Sequence, residues 1–200
     1  MTTVIVKRGI KVPDARRKMV ESAAVLLAMR GLQGTAFSDV LERSGAPRGS
    51  IYHHFPGGKD ELVDEAIDLT GTRAIHALDA VEGEPPATIT TAFLDLWRSV
   101  LVRSNLRAGC AVLAVTVAAE TPELLDHAGS IFRSWRGRLA ELYVAGGLGR
   151  AAAERLAATV VAASEGAVVV SRAERSLDPF ELVAEQLLAL SPVQERRSKG

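Results

Sequence analysis

The 200 residues carry 24 basic and 24 acidic side chains, and 48% are hydrophobic. That is apolar mass enough for a substantial core in one domain or two, while a net charge of zero says nothing for or against a polyanionic partner. The single cysteine, Cys110, excludes an intramolecular disulfide and a cysteine-based metal cluster, and its small apolar flanks suit a buried structural thiol. Residues 1–12 show little periodicity and read as a flexible basic arm with Lys7, Arg8 and Lys11. The opening MTTVIVKRG lacks the long apolar stretch of a secretory signal, so a soluble cytoplasmic protein is expected. Pro13-Asp14 opens a first long helix, with Met19, Ala23, Leu26, Leu27 and Met29 as its apolar positions, and Gly31 and Gly34 stop it.

Residues 35–61, TAFSDVLERSGAPRGSIYHHFPGGKDE, predict two short helices. Thr35 is placed to cap the first, whose apolar positions Phe37, Val40 and Leu41 share one face. Ser44-Gly45-Ala46-Pro47 breaks it, and Pro47 suits the start of the next. Ser50 to Phe55 is too short to be stable alone and must be held by its neighbours through Ile51 and Phe55. Arg48, Ser50, Tyr52, His53 and His54 are then left for the outside, a surface of donors suited to base edges and phosphates. Charge is distributed accordingly. Residues 1–60 hold 10 basic and 5 acidic side chains, residues 61–200 hold 14 and 19, as when one end meets a polyanion.

A fourth helix is expected after Pro56-Gly57-Gly58, with Asp60 and Glu61 in its first turn, running toward Ala77 or Val81. The clearest break is Glu82 to Pro86, and helical segments follow at about 87–105, 109–119, 122–145, 149–172 and 178–190. The run Cys110–Ala119 is too short to span a bilayer, so no membrane partner is expected. Phe93, Trp97, Leu101, Leu113, Val117, Phe132 and Trp135 can line an apolar cavity between helices, and each equally suits a bundle core. Glu120 can orient a ligand or face solvent. Leu156, Val160, Ala163, Ala167 and Val170 make a stripe of small side chains that Val183, Leu187 and Leu190 complete, so a homodimer interface is expected there. Burial within the same subunit is the other reading of that stripe.

The run Gly49-Ser50-Ile51-Tyr52-His53-His54-Phe55, followed by Lys59-Asp60-Glu61-Leu62 and preceded by Gly31, Thr35 and Gly45, strongly resembles the TetR family of one-component transcriptional repressors. The wording GAPRGSIYHHFPGGKDEL, with Gly109-Cys110, Glu120, Trp135 and Glu165-Gly166 behind it, also looks like the branch of lincomycin-responsive and flavonoid-responsive regulators. The resemblance implies an all-α chain. A helix-turn-helix DNA-binding domain over 13–58 would precede a helical regulatory and dimerisation domain over 59–191 and a flexible tail over 192–200. It implies a homodimer on a double-stranded, pseudo-palindromic operator, released by a small, largely apolar or aromatic effector, with no cofactor and no metal. By the same resemblance Arg48 and Ser50 lie nearest base edges, while Tyr52, His53, Thr35 and Lys59 touch phosphate. The regulated gene would be one of efflux or catabolism.

An enzyme is not expected. Nothing resembles a phosphate-binding glycine loop, a His-Glu-x-x-His site or a nucleophile elbow. An architectural or activating DNA binder without an inducer is the other reading, separable by the ratio of operator affinity to bulk-DNA affinity at one salt concentration.

Overall fold

A computed structural model describes residues 12–192. The basic arm, with Lys7, Arg8 and Lys11, and the tail beyond residue 192 lie outside the described residues. The described residues form only helices: α1 Val12–Arg30, α2 Phe37–Ser44, α3 Ile51–His54, α4 Lys59–Asp79, α5 Pro86–Arg103, α6 Ala111–Thr116, α7 Pro122–Ala145, α8 Arg150–Glu174 and α9 Asp178–Ala189. The all-α expectation therefore holds. Prolines stand in the first turns of α5, α7 and α9, where a missing N–H costs nothing. The segment expected at 109–119 forms only the short α6. α5 ends at Arg103 because Asn105 and Leu106 both take left-handed backbone angles, φ 52° and 61°, and turn the chain.

α1, α2 and α3 share a small core built on Met19, Leu27, Val40, Ile51 and Phe55. α4 leaves this group and packs on α5, α6 and α7, so one continuous helix joins the front of the molecule to the rear. α4 and α7 approach closely at Gly71, where an added Cβ would lie 2.9 Å from Ile131 Cγ2. The gap lets the Trp135 indole N–H donate to the Gly71 carbonyl at 3.2 Å.

Behind α4, α7 packs on α8 and α8 on α9. Trp135, Tyr143, Phe93 and Phe180 are fully buried there. Thr90 bonds the Tyr143 hydroxyl at 2.7 Å and the Ser191 hydroxyl at 2.8 Å, satisfying three buried polar groups at once. Arg98 grips Glu181 in a two-pronged pair at 2.7 and 2.8 Å, tying α5 to α9. α8 is long and apolar enough to cross a membrane, but half of that stretch is buried in the fold.

The dimer stripe needs correction. Leu156, Val160, Ala167 and Leu187 are buried in their own subunit, Leu187 to 2% exposure, and Ala163 and Val183 are half-buried. Only Val170 and Leu190 of the expected set are exposed. α8 is apolar on most of its circumference, so the stripe chosen by spacing is the one that faces α5, α7 and α9. The outer apolar face runs through Val169 and Val170 on α8 and Leu182 and Leu190 on α9, with Leu182 69% exposed.

His127 on α7 bridges two α4 carboxylates, Nδ1 at 2.6 Å from Asp64 and Nε2 at 2.7 Å from Asp68. Burial pulls the imidazole pKa down, but the hydrogen bonds and charges of Asp64 and Asp68 outweigh it and leave the pKa raised. Both ring nitrogens can donate only in the imidazolium form. The clamp therefore stabilises the fold fully below the ordinary histidine range and loses that contribution as pH rises through the raised value. His127→Gln is expected to remove this part of the fall in melting temperature between pH 6 and 8. An unchanged pH profile in the variant would show that the bridge contributes nothing.

Candidate nucleic-acid interface and regulatory interior

α2 and α3 form a bent pair. Gly45 closes α2 in the left-handed region at φ 68° and its N–H bonds the Leu41 carbonyl at 3.0 Å. Pro47 to Ser50 make a turn, closed by the Ser50 N–H on the Pro47 carbonyl at 3.0 Å, and lead into α3. With four residues α3 has almost no helical stability of its own. Ile51 and Phe55, both at 0% exposure, pin it inward.

A residue that the pattern of apolar spacing did not single out completes the hold. Arg16 of α1 donates to the His54 carbonyl at the end of α3, and its guanidinium lies 4.6 Å from the centre of the Phe55 ring. The same guanidinium pairs with Glu61, at 3.2 Å, and with Glu65 of α4. Glu61 in turn accepts the Gly57 N–H at 2.8 Å. Arg16 thus ties α3 to α1 and α4 together. The i, i+4 spacing of Glu61 and Glu65 was the available signal, but their partner lies 45 and 49 residues away and only the fold brings it near.

The outward surface carries Arg48, Tyr52 and His53, all exposed, and Tyr52 is 69% exposed. The Tyr52 and Phe37 rings meet edge to face with centroids 5.6 Å apart. Ser50 is half-buried and donates to the Pro47 carbonyl at 2.6 Å, leaving its lone pairs as acceptors. Lys59 donates to the Leu32 carbonyl at 2.7 Å, which holds its ammonium at the start of α4 with two N–H bonds to spare. Thr35 departs from expectation. It is 1% exposed, its hydroxyl donates to the Gly31 carbonyl at 2.8 Å, and Ala36 occupies the N-cap of α2 with no side-chain cap. A phosphate contact by the Thr35 side chain is therefore withdrawn. A threonine before an amphipathic run reads as a cap, yet here it serves the left-handed turn at Gly31 instead.

In the rear, four of the expected pocket residues do meet. Phe93 and Trp97 of α5 and Phe132 and Trp135 of α7 form an edge-to-face chain, with centroids 6.2, 5.9 and 5.4 Å apart in succession. Leu101 is fully buried and Leu113 half-buried. Val117 is 76% exposed and lines nothing. Glu120 is exposed and accepts from Gln33 at 3.2 Å, so it faces solvent beside the end of α1. Both lie past the end of α6, where the expected helix has already stopped. A cleft of about 260 Å³ opens between α4 and α7 beside Trp135, Gly71, Ile75 and His76.

Known proteins resemble this chain along its length. The sequence profile described as bacterial regulatory proteins, tetR family, matches residues 20–66. A second, described as the C-terminal domain of LmrA/YxaF-like transcriptional regulators, matches residues 86–186. A helix-turn-helix transcriptional regulator of Mycobacterium tuberculosis is 37% identical over 190 residues, covering 90% of this chain and 97% of that protein. The transcriptional regulator LmrA of Bacillus subtilis is 27% identical over 84% of this chain and 91% of its own. Among solved structures, a regulator from Chloroflexus aurantiacus superposes with a TM-score of 0.73 at 27% identity, covering 88% of this chain and 93% of that one. One from Rhodobacter sphaeroides superposes at 0.78 and 19% identity, over 89% and 99%.

Proposed function

Because the chain belongs to the TetR family of transcriptional regulators, in its LmrA/YxaF-like branch, we propose that it is a repressor: a homodimer that binds a pseudo-palindromic operator and is released by a small effector. The observation that carries the reading is the surface of α3. Ile51 and Phe55 spend the apolar positions on the core, and Arg48, Tyr52 and His53 are left outside on a segment locked by Arg16. The front unit, about 13–58, would seat α3 in a major groove. The rear unit, about 59–191, would pair two copies through the outer apolar face of α8 and α9. Two heads joined this way read two half-sites.

Arg48 stands where the turn meets α3 and would reach base edges. Tyr52, His53 and Lys59 would meet phosphates. Arg48→Ala is then expected to erase discrimination at defined base pairs, by about 1–3 kcal/mol if the contact is bidentate. Tyr52→Phe keeps the edge contact with Phe37 and loses only the hydroxyl, so matched and mismatched operators should weaken alike. Titrations on an operator and its single-base variants at fixed salt separate the two. Equal losses on every sequence from Arg48→Ala would remove it from base readout.

Release requires an effector that binds the DNA-incompetent arrangement more tightly than the competent one. α4 supports such coupling, since its first turns hold Arg16 through Glu61 and Glu65 and its later turns carry Gly71 against Trp135. A change of α4 tilt would alter the spacing of the two recognition helices. An effector would be largely apolar or aromatic, as the aromatic chain from Phe93 to Phe132 suggests, and the controlled gene one of efflux or catabolism. The working location of such a protein is the cytoplasm. A screen of aromatic compounds for loss of operator affinity tests induction, and a null result across it would leave a regulator without an inducer.

A further inference from the structure

The polar groups of the rear core are paired almost throughout. Ser171 accepts the Phe180 N–H at 3.0 Å, Ser164 donates to the Val161 carbonyl at 3.1 Å, and Trp135 reaches Gly71. Glu165 on α8 breaks the rule. It is 6% exposed, the only charged side chain buried among the described residues, and apart from the weak donor of the Cys110 thiol neither carboxylate oxygen meets a hydrogen-bond partner. The Trp97 indole N–H, on α5 packed against α8, is a second buried group left unpaired. A core avoids such groups unless something else satisfies them, and an unpaired buried carboxylate is the costliest kind.

The surroundings of Glu165 say what that something requires. Its neighbours one turn away along α8, Val161 and Val168, are buried and apolar. Cys110, also buried, is the polar group beside it: burial first, and then the nearby Glu165 charge, push the thiol pKa well above its ordinary value. The thiol is a weak donor, so most of the hydrogen-bonding capacity of the carboxylate waits for a stronger one. Burial also pushes the Glu165 pKa up to about 7, so the carboxyl is held between its two forms near neutrality.

The site has a wall that leads to the DNA-binding helices. One face of α8 lies along residues 107–110, so close that a Cβ on Gly109 would meet Arg172 Nη1 at 2.9 Å and Val168 Cγ1 at 3.4 Å. Arg172 donates to the Arg107 carbonyl at 3.0 Å and to the Met29 carbonyl of α1 at 3.3 Å. The Gly109 N–H bonds the Ala28 carbonyl at 2.8 Å. This strap hangs from the left-handed pair Asn105 and Leu106, a backbone state that costs energy for side chains other than glycine and needs support from its surroundings.

We propose that Glu165 is the polar anchor of the effector site, that the effector is a lipophilic molecule carrying a hydrogen-bond donor, an ammonium or a hydroxyl group, and that residues 107–110 relay its arrival to the end of α1. The proposal rests on the reading of the chain as effector-controlled. A donor placed on the carboxylate satisfies it and favours its charged form. An effector seated beside Cys110 would press on the strap, and the strap holds α1 through the Gly109 N–H on the Ala28 carbonyl, with Arg172 of α8 on the Met29 carbonyl beside it. α4 is then one of two routes to the front of the molecule.

The test uses three matched probes on the full chain: 2-naphthylmethylamine, 2-naphthalenemethanol and 2-methylnaphthalene. Calorimetric titration is expected to show the amine and the alcohol binding at least 10-fold more tightly than the hydrocarbon, with that preference lost in Glu165→Gln. Should Glu165→Gln fail to fold, infrared difference spectra of the unmodified protein give the same answer, since binding of the amine should convert a carboxylic acid band to a carboxylate band. Operator affinity should fall with the amine or the alcohol. Equal binding of all three probes, binding unchanged in Glu165→Gln, a silent carboxyl band, or no binding of amine or alcohol overturns the proposal. Release of the operator by the hydrocarbon as readily as by the other two would overturn the anchor and leave effector control standing. Loss of operator binding in the absence of any probe would instead strike the repressor reading.

Discussion

Leu187→Glu is expected to unfold the regulatory part of the chain, whereas Leu182→Glu leaves it folded and separates the subunits. The two residues lie five apart on α9, yet Leu187 is 2% exposed and Leu182 69%. Removing a buried leucine alone costs about 2–5 kcal/mol. A carboxylate put in its place adds a desolvation cost of several kcal/mol. Together they approach the roughly 5–15 kcal/mol that holds a whole domain. At Leu182 the new charge sits in water in the monomer and becomes costly only when a second copy covers it. Circular dichroism against temperature, with sedimentation equilibrium at micromolar concentration, distinguishes the outcomes. A folded, monomeric Leu187→Glu protein would place the subunit contact on the inner stripe after all. A dimeric Leu182→Glu protein would move the contact off the outer face.

Glu165→Gln is expected to flatten the pH dependence of stability. Burial raises the folded pKa of this acid from 4.5 to about 7. The sign follows from the raised value. The folded state holds the proton more tightly than the unfolded one, so the stabilisation is fully present below pH 4.5 and is lost as pH rises through 7. A difference of about 2.5 units corresponds to roughly 3 kcal/mol between pH 4 and pH 8. Glutamine cannot ionise and loses that slope, though its unpaired amide costs about 1–3 kcal/mol at every pH. Urea titrations of both proteins across the range isolate the difference. His127, whose pKa is also raised, acts in the same direction and cancels in the comparison, since both proteins keep it. Parallel profiles for the two proteins would mean that Glu165 meets a partner or water in solution.

Much of the front of the molecule was legible because its signals are local. Gly45 and Pro47 mark the break between α2 and α3, and Ile51 and Phe55 are the only large apolar residues α3 has to offer its neighbours. The rear was less so. The stripe Leu156, Val160, Ala167 and Leu187 was correctly apolar, but periodicity tells that a face is buried and not what buries it. Val117 reads as a pocket residue by its apolar type, but α6 ends at Thr116 and leaves it exposed; of the two readings of Glu120, the one that faces solvent is the one observed. Thr35 looked like a cap because its type and place fit one, while the competing bond to Gly31 depended on how α1 ended.

By itself the amino-acid order determined the helical class, the breaks between helices and the family. Each of these rests on spacing within a few residues or on a motif such as GSIYHHF, which the chain carries in any conformation. Tertiary structure decided everything that joins distant positions. Arg16 holds the end of α3 and two acids of α4, His127 clamps α7 to α4, and Glu165 is buried with only the weak thiol of Cys110, 55 residues earlier, beside it. Hydrogen bonds and burial act over a few ångströms in space, so which residues feel them is settled only when the helices have packed.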